Sequence, residues 1–190
     1  MLKAWVRGPV AHWVMNNMMT ERIPIGGIKI SAPVLAIRLR TDPASFYLTA
    51  RLCCLLTIAR VNIAFMTSAG QGDACHALCC IDPAQRDKVA QMVQQDAELR
   101  ECVTFGGVLG LLTIYPHRAS LKMLGLALEA MSGRGIRIHG LASSISSLTF
   151  AIDHFLLEDA AVLLSSHCDA LPQPTLIKCD FAVRQEKRIR

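Results

Sequence analysis

PVLAIRLRTDPASFYLTARLCCLLTIARVNIAFMTSA (33–69) and GVLGLLTIYPHRASLKMLGLALEAMSGRGIRIHGLAS (107–143) are two renderings of one pattern. With an offset of 75, Ala44-Ser45 falls on Ala119-Ser120, and Val61 and Ile63 fall on Ile136 and Ile138. Further on, ALCCID (77–82) matches LTFAID (148–153) with an offset of 71, because the first copy has a loop four residues longer at AGQGD (69–73). A duplication of this length makes the unit, and not the whole chain, the object to be read.

The first copy opens with an apolar strand, Pro33–Leu39, and a turn over Arg40–Ser45 built on Asp42-Pro43. Phe46, Thr49, Leu52, Cys53, Leu56 and Ala59 recur at helical spacing and predict a helix over Phe46–Arg60. Val61–Ser68 is rich in β-branched and aromatic residues and reads as a strand, as does the apolar Ala74–Ile81. Asp82-Pro83 then provides an N-cap and a proline at the first helical position. Val89, Met92 and Val93 form the buried stripe of that helix, which ends near Asp96, and Glu101–Gly106 is expected to close the copy as a strand.

The second copy repeats the series. Val108–Tyr115 is a strand, Tyr115–Ser120 a turn, and Ser120–Met131 a helix ending at Ser132-Gly133. Ile136–Ala142 and Ser147–Ile152 are strands, Asp153 is expected to cap a helix over His154–Ser166, and Thr175–Val183 to add a last strand. Gly106 and Gly110 match a G-x-x-x-G pattern but read as two strands meeting at a turn. The series β-α-β-β-α-β, twice, is the split βαβ arrangement. Right-handed crossovers put both helices of a copy on one face of an antiparallel sheet and leave the other face for a partner or solvent. The expected fold is therefore α+β, with two ferredoxin-like units at 33–106 and 107–190. Residues 1–32 form an N-terminal extension in which Ile28–Ser31 could add a strand and Trp5 and Trp13 would be buried.

This series resembles tandem ACT domains, above all the C-terminal regulatory half of aspartate kinases. TDPAS (41–45), ARVNIAFMTS (59–68) and SSISSLTFAIDHFLLEDAAVLL (143–164) carry the resemblance, which extends over roughly residues 26–183. It implies that a free amino acid binds at an ACT–ACT interface and shifts the conformation of an attached or partner protein. By the same resemblance, the ligand pocket maps to Asp42, Pro43, Ala44 and Ser45 after the first strand. It is joined by Val61, Asn62 and Ile63 at the opening of the second. The chemistry is suitable: a helix N-terminus receives a carboxylate, an aspartate pairs with an α-ammonium, and an asparagine both donates and accepts. The chain departs from the pattern at Ala44, where a glycine is usual. In the second copy the turn is Tyr115-Pro116-His117-Arg118, without the aspartate, and Arg137 stands where the first copy has Asn62. His117, Arg118, Ala119 and Ser120 are a possible second site, where His117-Arg118 could hold an anion.

Composition narrows the classes further. The 190 residues are 52% hydrophobic and only 18% charged, which excludes a disordered tail. The net charge of +5 comes from the two ends, while 23–183 holds thirteen charges of each sign. A neutral body argues against nucleic acid, whose phosphates need clustered cations. The fold also serves as an RNA-binding module, but the exposed aromatics needed for base stacking are missing. Eight cysteines include the adjacent pairs Cys53-Cys54 and Cys79-Cys80 inside apolar runs, which read as reduced core thiols in a cytoplasmic protein. Cys75-His76 with Cys79-Cys80 looks like a metal cluster, but neighbours on a strand point to opposite faces. The longest uncharged run, Cys102–His117, is too short and too broken by glycine to span a membrane, and no signal peptide is read at the N-terminus.

No G-x-S-x-G, P-loop or paired-histidine motif is present, and the chain has no room for a kinase portion. The expectation is a non-enzymatic, cofactor-free and metal-free regulatory module. It would be a homodimer that binds a small effector and controls an amino-acid biosynthetic enzyme. The alternative is a structural or dimerisation subunit whose effector site has decayed.

Overall fold

Two long strands organise the chain. A computed structural model describes residues 22–71, 74–115, 121–170 and 177–179. β2 (Gly27–Ser31) and β3 (Val34–Thr41) are separated only by Ala32-Pro33, and both run antiparallel to the thirteen-residue β6 (Val103–Tyr115). The pairing passes from Gly27↔Tyr115 through Ile30↔Leu112 and Val34↔Leu109 to Leu39↔Val103. Proline has no N–H to give a ladder. At the break the Leu111 N–H instead donates to Ser31 Oγ at 2.9 Å.

Each half of this ribbon grows outward into its own set of strands. Beside the first half, β5 (Ala74–Ile81) pairs with β3 and β4 (Phe65–Gln71) pairs with β5, giving the order β6-β3-β5-β4. Beside the second half, β8 (Leu148–Asp153) pairs with β6 and β7 (Ile138–Ser143) with β8, giving β2-β6-β8-β7. The extension strand foreseen at Ile28–Ser31 thus occupies an inner place. β9 (Cys168–Ala170) pairs parallel with β1 (Ile23–Ile25), and β10 (Ile177–Cys179) pairs parallel with β2. The remainder of the expected strand Thr175–Val183 lies outside the described residues, as do Trp5 and Trp13.

Helices cover one face of each half. α1 (Tyr47–Ile58), α2 (Arg86–Gln95) and the single turn α3 (Leu99–Cys102) pack on Leu35, Ile37, Leu39, Ala77, Cys79 and Ile81. α4 (Leu121–Gly133) and α5 (Leu157–Ser165) pack on Ile28, Ile30, Leu112, Ile114, Leu148, Phe150 and Ile152. The opposite faces do not wait for a partner or for water. Val34, Ala36, Phe65, Leu78 and Cys80 of the first half meet Leu109, Leu111 and Ala151 of the second in a third buried cluster. Burying these two apolar faces against each other removes both from water within one chain.

Three further expectations are corrected. Glu101–Gly106 and Val108–Tyr115 are not two strands meeting at a glycine turn. β6 runs on through Gly106-Gly107, where a bulge opposite Ala36 shifts the register with β3, and residues 99–102 are helical, with the Glu98 and Leu99 N–H groups donating to Asp96 Oδ1. Gly106 and Gly110 are small because side chains cross them: a Cβ at 110 would lie 2.7 Å from Leu157 Cδ2, and one at 106 would collide with the Arg38 guanidinium. The second strand of the first copy begins at Phe65, not Val61. Arg60 takes a left-handed conformation (φ 54°) and the Val61 N–H folds back onto the Leu56 carbonyl at 2.9 Å, which ends α1 and delays the strand. Asp153, finally, does not cap the helix that follows it; its carboxylate accepts from His139 instead.

Candidate functional site

The turn after β3 is shaped by its own side chains. Asp42 Oδ1 accepts from the Ser45 N–H at 3.0 Å and Oδ2 from the Ser45 hydroxyl at 2.7 Å, closing a 3-10 turn over Pro43–Ser45. The Ser45 hydroxyl is the main reason the Asp42 carboxyl titrates below its ordinary value. Asp42 and Ala44 are exposed and Ser45 is half-buried. Two carboxylate oxygens offer about four lone pairs, so the two bonds to Ser45 leave acceptor capacity facing solvent. α1 begins at once behind this turn, and no side chain caps its N-terminus. The hydroxyls of Thr41, at the end of β3, and Thr49, in the first turn of α1, are buried and have no hydrogen-bond partner. Unmet buried hydroxyls are costly. Both belong to the elements that flank the Asp42 turn. Sequence reasoning missed them, because a threonine inside an apolar pattern gives no sign that its hydroxyl goes unpaired.

The other half of the predicted pocket stands elsewhere. Val61 is buried, while Asn62 and Ile63 are exposed in the connection between α1 and β4. Thr41 pairs with Cys75 at one end of β5, and Phe65 with Cys80 near the other. α1, twelve residues long, separates the two groups by about 18 Å. One chain therefore brings Asp42, Pro43, Ala44 and Ser45 together at one end of α1 and Val61, Asn62 and Ile63 at the other, and does not unite them. His117, Arg118, Ala119 and Ser120 lie outside the described residues.

A second polar region lies on the inner face of β3, beyond the residues of the third cluster. A cleft of about 570 Å³ is lined by Arg38, Arg40, Thr67, His76, Thr104 and His139, among others. Arg38 Nη2 lies 3.0 Å from His139 Nδ1, and His139 Nε2 lies 2.9 Å from Asp153 Oδ1. A guanidinium only donates. Nδ1 is therefore the bare nitrogen, and the ring proton sits on Nε2 and is given to Asp153. One imidazole thus ties β3 of the first half to β7 and β8 of the second.

The cysteines alternate across β5 as strand geometry requires. Cys79 packs beneath the helices and Cys80 in the cluster between the sheets. Burial pushes both thiols up to about 12. A thiol at that value is a poor nucleophile and a poor metal ligand at neutral pH. Among the described residues no three His, Cys, Asp or Glu side chains converge on a metal-sized site, and no helix is long and apolar enough to cross a membrane.

The architecture has counterparts among solved structures. The ligand-free regulatory subunit of aspartate kinase from Thermus thermophilus superposes with a TM-score of 0.66 at 12% identity, covering 76% of this chain and 99% of that one. The fold is that of the aspartate kinase regulatory subunits. A structure of aspartokinase α and β subunits gives a TM-score of 0.67 at 12% identity, covering 75% and 97%. Aspartokinase III of E. coli, in complex with lysine and aspartate, gives 0.56 at 13%, covering 79% of this chain but 35% of the longer one. No protein-family profile and no curated protein matches the chain at the level of sequence. The structure thus has the fold that the residues of the two repeats point to.

Proposed function

We propose that this chain is a non-catalytic regulatory module made of two ferredoxin-like ACT units in tandem, approximately 33–106 and 107–190. The second unit borrows β2 as its fourth strand. Its function is to bind a free amino acid at an interface between ACT units and to control an enzyme of amino-acid metabolism. The observation that carries this reading is the coverage of the match: a whole regulatory subunit, 99% of its length, is reproduced by 76% of this chain.

The ligand site of this reading is shared between two copies of the chain. Asp42 faces the ammonium, the N-terminal turn of α1 takes the carboxylate, and Asn62 reaches the same ligand from the partner copy. Opposite ends of α1 meet when two copies pair antiparallel across a two-fold axis, each end of one helix against the other end of its partner. The module is accordingly a homodimer, acting in the cytoplasm. One observation favours the second reading, a dimerisation subunit without a ligand: the Asp42 carboxylate is already engaged by Ser45.

A thermal-shift screen against the twenty amino acids separates the two readings, because a ligand selective for the native state raises the melting temperature by mass action. The regulatory reading expects one or a few amino acids to stabilise the protein. Asp42→Ala is then expected to weaken that ligand about ten- to a hundredfold in calorimetry, with the fold intact because Asp42 is exposed. Mixing Asp42→Ala chains with Asn62→Ala chains should restore part of the binding, since a mixed dimer keeps one complete site. Absence of any shift with all twenty amino acids favours the structural reading.

A further inference from the structure

We propose that the cleft lined by β3, β4, β5 and His139 is a separate small-molecule site, taking a compact organic anion whose carboxylate or phosphate is held by Arg38 and Arg40. Along β3 the residues alternate strictly. Leu35, Ile37 and Leu39 enter the helix-covered core, and Val34 and Ala36 enter the cluster between the sheets. Arg38 and Arg40 continue the inner face past the point where that cluster ends. The same face that is dry at one end is therefore doubly cationic at the other. In the register of the sheet Arg40 stands directly across from His76, and His76 directly across from Ala69. Cationic or cationisable groups side by side on one face repel each other, and the bond from Arg38 to His139 adds no negative charge to offset them.

No described residue supplies the counter-charge. Among the described residues no carboxylate lies within ion-pairing distance of Arg38 or Arg40. Glu101 lines the cleft, but its carboxylate accepts from Arg100 at 3.0 Å. Asp153 is one imidazole removed, bound to the far side of His139. Arg38 is half-buried, and a guanidinium withdrawn from water calls for a paired anion.

Arg38 is also held in place before any ligand arrives. Its Nη2 is fixed by the bare Nδ1 of His139, and its Nη1 rests in the space that Gly106 leaves by having no side chain. A guanidinium fixed on one edge keeps its other donors for a planar or tetrahedral oxyanion. Thr67 and Thr104 add hydroxyls to the wall, and Ala69, Ala77 and Leu78 add a short apolar stretch. The volume of about 570 Å³ is that of a metabolite pocket and not of a peptide groove.

The test is calorimetry on the full chain at fixed ionic strength, with succinate and with inorganic phosphate as probes and sodium chloride as the control titrant. Neither probe carries the ammonium that Asp42 is proposed to face, and dependence on Arg38 and Arg40 distinguishes binding in the cleft from capture of an anion at the N-terminal turn of α1, so the two proposals fail separately. The expected result is saturable binding of one probe or both, weakened about tenfold or more by Arg40→Ala and by Arg38→Gln and unchanged by Asp42→Ala. Arg40 is exposed, so Arg40→Ala keeps the test valid if Arg38→Gln does not fold. Heats equal to the chloride control for both probes would overturn the proposal. So would binding that survives Arg40→Ala, or binding confined to a polyglutamate peptide, which would make the face a protein contact.

Discussion

The two repeats reach the same backbone shape with different residues. At the end of α1 the left-handed position is Arg60 (φ 54°), and at the matching end of α4, 75 residues later, it is Gly135 (φ 68°). The hydrogen bonds are the same in both: Arg60 N–H to Thr57 and Val61 N–H to Leu56, Gly135 N–H to Ser132 and Ile136 N–H to Met131. Asp82 and Asp153, 71 residues apart, share a position too, but they differ in use. Asp82 caps the 3-10 turn Pro83–Gln85 that leads into α2 by accepting from the Ala84 N–H at 2.8 Å, whereas Asp153 turns away to His139. The two repeats therefore keep one geometry while the side chain that supports it differs, and at Asp153 the difference links the second half to the first.

Core substitutions give the largest contrast. Phe150 and Cys79 are equivalent, and both are buried to within 1%. Phe150→Ala should cost about 3–5 kcal/mol in chemical denaturation. Cys79→Ala should cost far less, since it removes only a sulfur. Equal costs would mean that the two helix-covered cores are not built alike.

The aspartate pair comes next. Asp82→Ala should remove a cap worth about 1 kcal/mol, with no coupling to residues of the second half. Asp153→Ala strands the His139 ring, whose side chain is 13% exposed, at a cost of about 1–3 kcal/mol. A double-mutant cycle between Asp153→Ala and Arg38→Gln should show coupling through the imidazole of at least about 0.5 kcal/mol. Strict additivity would break the claim that His139 joins the two halves.

The left-handed caps give a gain against a loss. Gly135→Ala meets no atom within 4 Å, so its cost is conformational, about 1–2 kcal/mol. Arg60→Gly should raise stability, by about 0.5–1 kcal/mol after the added freedom of glycine in the unfolded chain. A loss in both variants would show that the Arg60 side chain supports the cap by some other contact.

The order of elements was legible because local signals agree with the tertiary structure. Apolar periodicity marked the helices, Asp82-Pro83 marked a cap, and the β-branched and apolar runs marked the strands. What could not be read were long-range exchanges. Gly106-Gly107 carries a turn signal locally, but a strand is enforced there by β3 and by the Arg38 side chain lying across Gly106. Asp153 reads as a cap until a histidine fourteen residues earlier competes for it. The distance between Asp42 and Asn62 was hidden for a similar reason: sequence order places both beside α1 without showing that a helix separates its own ends.

Acid sets the smallest and most local contrast. In the first copy Arg51 Nε donates to Asp96 at 2.7 Å and Arg51 Nη1 lies 3.1 Å from Glu98, whose carboxylate also accepts from the Tyr47 hydroxyl. Asp96 in turn accepts from two N–H groups at the start of α3. The hydrogen bond from Arg51 is the main reason the Asp96 carboxyl titrates below its ordinary 3.8. A carboxyl lowered in the folded state binds its proton more readily when unfolded. Its contribution is complete above about pH 5, the upper edge of the unfolded titration, and is lost as pH falls through the lowered folded value. At the position of Arg51 the second copy has Leu126, which is buried in the apolar core and can form no such network. Acid should therefore loosen α2 and α3 before α4 and α5, read by hydrogen exchange as pH is lowered from 5 toward 2. Screening keeps the effect small, because the Arg51 side chain is 47% exposed. Arg51→Leu, which copies the second repeat, should flatten the acid response of α2 and α3 and leave that of α4 and α5 unchanged. An acid response undiminished in Arg51→Leu would assign it to other carboxylates and remove this difference between the copies.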